Sequence, residues 1–187
     1  MKKCILGIIC VILVIAFANS CGNSTKTNVN VNDSTAIADS LDSVSKKEWV
    51  YQNSVDEMDG SITKIAFIVS SNEVQFDHSY NGGSRLQIIV CRKKGEDSYV
   101  GISTSSGQFF DSELYGNNYI RVKFDNGAPI KFSTLSSLDS SFDLLCLKNS
   151  KKFIKLAKNA KTIKIEAPFF LEGSQVFTFN TNKPLEW

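Results

Sequence analysis

The sequence predicts a mostly β domain over residues 49–187, two antiparallel sheets packed as a sandwich-like body with one helix in the C-terminal half. Three observations predict it. Turn signals recur about every 8 to 12 residues, as in all-β sandwiches. Residues 119–125 alternate Ile120, Val122 and Phe124 with Arg121, Lys123 and Asp125, the period-two signature of a strand with one buried face. Residues 142–168, FDLLCLKNSKKFIKLAKNAKTIKIEAP, read as strand, short amphipathic helix and strand. An α+β arrangement, with the helix on one face of an open sheet, is the alternative.

At the start of the chain, Lys2 and Lys3 precede an apolar run from Cys4 to Ala18, and Asn19-Ser20 precede Cys21. The run is about 15 residues, short of the ~20 that a helix needs to cross a bilayer. Residues 1–20 therefore read as an export signal. Ala18-Asn19-Ser20-Cys21 resembles the bacterial lipobox, which implies that Cys21 is acylated on sulfur and becomes the mature N-terminus. Acyl chains, at ~0.8 kcal/mol per buried CH₂, then hold the domain to a membrane. Gly22, where inner-membrane lipoproteins commonly carry aspartate, implies the outer membrane by resemblance to sorting signals. Residues 21–48 are rich in Asn, Ser, Thr and Asp, too polar to bury a core, and read as a tether spanning roughly 25 to 30 Å.

In the domain, Trp49, Tyr51 and Val55 begin a first strand, and Met58-Asp59-Gly60 turns it into residues 62–70. Residues 73–80 and 85–93 are expected to form the next hairpin across Asn81-Gly82-Gly83, followed by a strand at 97–104. After 119–125, Asn126-Gly127 is the strongest turn signal, and Pro129 confines the return strand to an edge or an end. Residues 142–148 form a near-continuous apolar run suited to a central strand covered on both faces. Asn149 or Ser150 caps a helix whose inward face is Phe153, Leu156, Ala157 and Ala160, with Lys151, Lys152, Lys155 and Lys158 on the solvated remainder. Strands at 162–166, ended by Pro168, and at 175–180, burying Phe177 and Phe179, complete the fold.

Composition excludes several function classes. The chain holds 21 basic and 19 acidic residues, a formal charge of +2. Removing Lys2 and Lys3 leaves it neutral, without the basic stripe that nucleic acid requires. Of five cysteines, only Cys91 and Cys146 belong to the domain; they are expected as small core hydrophobes, with a disulfide between them the alternative. Without CxxC and with the single histidine His78, no metal or cofactor is expected. Asp56, Asp59 and Asp125 read as turn formers, since the alternating oxygen ligands of a calcium loop are missing. No activated nucleophile or tuned acid and base pair is visible, so no catalytic residue is expected.

The suggestive excess is aromatic, with 13 phenylalanines. Phe109, Phe110, Tyr115, Phe169 and Phe170 fall outside the strand alternation and are the candidate ligand-binding residues, because aromatics combine contact area with little entropy loss. Otherwise the paired phenylalanines plug an open end of the sandwich. The order of Trp49, DEMDGS, LQIIVCR, YVGI, IRVKFD, LLCL, KKFIKLAKNAKTIKIE and VFTFN resembles that of small exported proteins associated with type VI secretion and of related lipoproteins of unknown role. The resemblance implies a β-rich accessory domain and carries over no site residue. The expected function is a lipid-anchored, non-enzymatic envelope module that recruits a protein or glycan partner. An inhibitor or immunity protein against an exported toxin or hydrolase is the alternative.

Overall fold

The computed structural model describes residues 48–77, 80, 82–110, 118–136 and 142–187. The export signal, Cys21, most of the tether, His78 and Tyr115 lie outside the described residues. Eleven strands and one helix are described, in the order β1 (Val50–Val55), β2 (Ile62–Val69), β3 (Val74–Phe76), β4 (Gly82–Ser84), β5 (Leu86–Lys93), β6 (Tyr99–Thr104), β7 (Tyr119–Phe124), β8 (Ile130–Ser136), β9 (Leu144–Leu147), α1 (Ser150–Ala157), β10 (Thr162–Phe169) and β11 (Gly173–Asn180). The fold is mostly β and antiparallel. Nine strands pair in the order β1-β2-β5-β6-β9-β8-β7-β10-β11, with β3 and β4 forming a separate pair. Among the described residues no helix is long and apolar enough to cross a membrane.

Register explains why one core suffices. Ala66 pairs with Val90 and Val90 with Val100, Ile102 with Leu145, Ile120 with Phe132, and Ile165 with both Val122 and Phe177. These residues all belong to a single buried cluster, so the first half of the sheet faces the second in a sandwich-like body. The seam between the halves is polar. The Ser71 amide donates to the Thr178 carbonyl (2.7 Å), while the Asn72 carboxamide accepts from the Thr178 amide (2.6 Å) and donates to the Val176 carbonyl (3.0 Å). Asn72 thereby replaces backbone groups on the outer edge of β11, which would otherwise stand open.

β9 is central, the fifth of nine strands. Three expectations are corrected. β5 does not return against β3: it pairs with β2 and β6, and β3 takes the glycine-led β4. Every residue from Leu86 to Cys91 is buried, so β5 requires neighbours on both edges and cover on both faces, which a two-stranded hairpin cannot give. β10 does not stop at Pro168 but runs to Phe169, because Pro168 needs no donor where its carbonyl alone bonds the Phe110 amide (2.9 Å). On α1, Ile154 is buried beside Phe153 and Ala157, while Leu156 is only partly covered. Phe153, Ala157 and Ala160 are buried as expected, and the correction is confined to Ile154 taking the place of Leu156.

Cys91 and Cys146 lie on β5 and β9 with β6 between them, Cys91 opposite Tyr99 and Cys146 opposite Gly101. Two interstrand spacings amount to about 10 Å, beyond the reach of a disulfide, and none joins them.

Candidate functional site

Of the candidate aromatics, Phe109, Phe110, Phe169 and Phe170 converge at the end of the sheet where β5 begins and β10 ends. Past β6, residues 105–108 turn the chain so that Phe109 bridges Phe169. The Phe110 amide donates to the Pro168 carbonyl (2.9 Å), the Phe170 amide to the Gln108 carbonyl (2.9 Å), and the Phe109 amide to the Phe142 carbonyl (2.6 Å). Segment 108–110 thus lies between the end of β10 and residue 142, a short extra rung that closes the end of the sandwich.

Strand alternation splits each phenylalanine pair. Phe109 and Phe169 point inward and are 2% exposed, whereas Phe110 and Phe170 are 43% and 45% exposed. Because 109 and 169 are directly opposed, Phe110 and Phe170 share the outer face. The inner rings stack in sequence: Phe76 on Phe169 (5.0 Å between centroids), Phe109 on Phe169 (4.9 Å) and Phe169 on Phe177 (5.8 Å). Gly107, at φ +85°, permits this approach, since a Cβ there would stand 2.5 Å from a Phe76 ring carbon. Tyr80 packs its edge on Phe76 and its hydroxyl donates to the Gln108 carboxamide oxygen (3.1 Å).

Phe109 and Phe169 therefore fill the core and are corrected as ligand-binding candidates: opposed across the bridge, both must face inward. Phe110 and Phe170 remain at the surface. Two neighbours that sequence reasoning did not single out join them, Phe142 at 47% and Leu171 at 57% exposure. Leu171 sits in the connection between β10 and β11 with φ +64°, followed by Gly173 at +67°. A branched side chain in the left-handed region costs about 1 to 2 kcal/mol, so this tip holds an exposed apolar group at the expense of local strain. The signal available in the sequence was PFFLEG itself, where Leu171 precedes the turn glycine.

The aspartates of the turns are held by neighbouring backbone and side-chain groups. Asp56 accepts from the Met58 amide (2.9 Å) and Asp59 from the Ser61 amide (2.8 Å), and Lys93 reaches Asp59 at 3.1 Å and Asp56 at 3.6 Å. The hydroxyl and then the amide of Ser61, with the Lys93 ammonium, hold the Asp59 carboxyl down to about 2, and Asp59 in turn raises Lys93. Asp125, at φ +47°, accepts from the amides of Lys161 and Thr162 (2.9 and 2.8 Å) and ties the β7–β8 turn to β10. All three aspartates are turn formers. Among the described residues no group of three or more His, Cys, Asp or Glu could hold a metal ion. No protein-family model, no curated protein and no solved structure matches the chain.

Proposed function

We propose that the protein is a non-catalytic binding module of a bacterial envelope, anchored through acylated Cys21 in the outer membrane, which recruits a protein partner through the surface made by Phe110, Phe142, Phe170 and Leu171. The observation that carries this reading is the exposed apolar group itself, three phenylalanines on adjacent backbone segments and a strained leucine, seated on a buried aromatic stack. A rigid support lowers the entropy lost on binding, and anchors of this kind concentrate binding energy at interfaces. Phenyl and isobutyl groups carry no hydrogen-bonding atom, which favours a protein partner over a glycan, whose hydroxyls need donors and acceptors.

The resemblance to exported accessory proteins supports the same class of role, and an inhibitor of an exported hydrolase would use the same surface. The test is affinity capture from detergent-solubilised envelopes with the full-length protein and its Phe110→Ser/Phe170→Ser variant. A partner retained by the first and lost by the second supports the proposal, and the partner's identity, structural protein or hydrolase, separates accessory module from inhibitor. Equal capture by both variants would remove this surface from the mechanism.

A further inference from the structure

At the other end of β5, an open groove of about 370 Å³ runs beside α1, its lining including Arg92, Glu96, Ile154, Lys155, Lys158 and Trp187. Its volume falls within the usual range for ligand sites. The indole of Trp187 is fixed: its N–H donates to the Ser98 hydroxyl (2.9 Å), Leu185 is buried, and the Glu186 amide donates to the Tyr51 hydroxyl (2.8 Å). Arg92 stands over the ring, 5.6 Å from its centroid. Packing on the indole orients the guanidinium and leaves its donors for something else.

Charge in the groove is unbalanced. Asp97 pairs with Lys151 at 2.9 Å, and Glu96 is the one other acidic side chain lining the groove beside Arg92, Lys155 and Lys158. Lys155 and Lys158 lie three residues apart, hence on one helix face, with Ile154 beside them. Cations bordering an indole and an aliphatic floor suit a ligand that is both anionic and apolar. We propose that this groove binds an acidic peptide segment of a protein partner, its carboxylates on Arg92, Lys155 and Lys158 and an apolar side chain against Trp187 and Ile154. Extended peptide matches the open shape, and carboxylates match Arg92, which forms bidentate bonds. This goes beyond the phenylalanine surface, which lies at the opposite end of β5, about 20 Å away at ~3.3 Å per residue.

The test uses the full-length protein and the fluorescein-labelled peptide EDFEDE, with KDFKDK as the charge-altered control, read by fluorescence anisotropy. Saturable binding of EDFEDE, weakened more than tenfold by Lys155→Gln/Lys158→Gln or by Arg92→Gln and less than twofold by Lys152→Gln, supports the proposal. Lys152 is the right control because it lies over the Phe132 ring and outside the groove. Circular dichroism checks that each variant keeps its fold, and rising salt must weaken the complex. The proposal is overturned if EDFEDE fails to bind, if KDFKDK binds as well, or if the groove variants bind as the wild type does. It is overturned equally if phosphatidylglycerol vesicles displace EDFEDE while phosphatidylcholine vesicles do not, because an anionic lipid surface would then be the occupant.

Discussion

The two ends of the sandwich solve the same packing problem in opposite ways. At the helix end, Phe124, Phe132 and Phe153 meet edge to face, 5.4 to 6.4 Å apart, and α1 covers them, with charged side chains outermost. At the other end, Phe76, Phe109, Phe169 and Phe177 stack, and among the described residues no helix lies above them. Among the described residues, Phe110, Phe142, Phe170 and Leu171 are the exposed large apolar side chains there. A buried aromatic cluster needs cover, but cover by lysine stems suffices at one end. The apolar groups left exposed at the other end lack that charged layer, and the proposed binding role rests on this difference.

The comparison is sharpest where inner and outer rings are neighbours. Truncating Phe153 or Phe169 to alanine removes a fully packed ring from either cluster and is expected to cost about 3 to 5 kcal/mol. Phe170→Ala, one residue along from Phe169, is expected to cost less than about 1 kcal/mol because its ring is half in water already. Urea unfolding of the three variants measures this. A loss at Phe170 comparable to that at Phe169 would make the outer ring part of the plug and erase the distinction between the ends.

The pair Gly107 and Leu171 refines the contrast, since both lie at positive φ on the aromatic end. Gly107→Ala is expected to lose about 1 to 3 kcal/mol, combining backbone strain with a Cβ that forces the Phe76 ring aside. Leu171→Gly relieves strain instead, so stability is expected to hold or to rise by up to about 1 kcal/mol while partner capture weakens. A protein that loses stability at both positions would show Leu171 to be a packing residue.

Much of this was legible in the sequence, and the failures are instructive. Period-two alternation at Ile120, Val122 and Phe124 placed β7, and the run LLCL placed β9 at the centre, because burial on one or both faces is written directly into composition. Pairing partners are not written there. β5 and β3 were joined across a glycine turn because hairpin signals are local, whereas the partnership of β5 with β2 depends on a cover for both faces that only the assembled sheet supplies. The sequence does not sort the paired phenylalanines by face, since the inward choice of Phe109 and Phe169 follows from a bridge between segments about sixty residues apart. Trp187 and Arg92 gave no local signal at all; the groove they frame arises from three distant segments.

Charge provides the smallest and most specific comparison, between adjacent residues at the helix end. Lys93 is committed to Asp59 and Asp56, whereas Arg92 lines the groove over the Trp187 ring. Asp59 is held at about 2, below its ordinary 3.8. A depressed carboxyl stabilises the fold above its unfolded value, and that contribution fades as pH falls from about 4 through 2. Lys93 is raised, so its contribution is complete below its unfolded value and fades as pH rises through the folded one. Asp59 is exposed and Lys93 partly so, so the effect is expected to be small and to shrink in high salt. Asp59→Asn keeps an oxygen for the Ser61 amide but removes the charge. Its urea midpoint is expected to fall less steeply than that of the wild type between about pH 4 and pH 2, with Arg92→Gln following the wild-type curve. Coincident curves for wild type and Asp59→Asn would show that the turn, not the ion pair, fixes this end of β2, and would leave Lys93 as available to a ligand as Arg92.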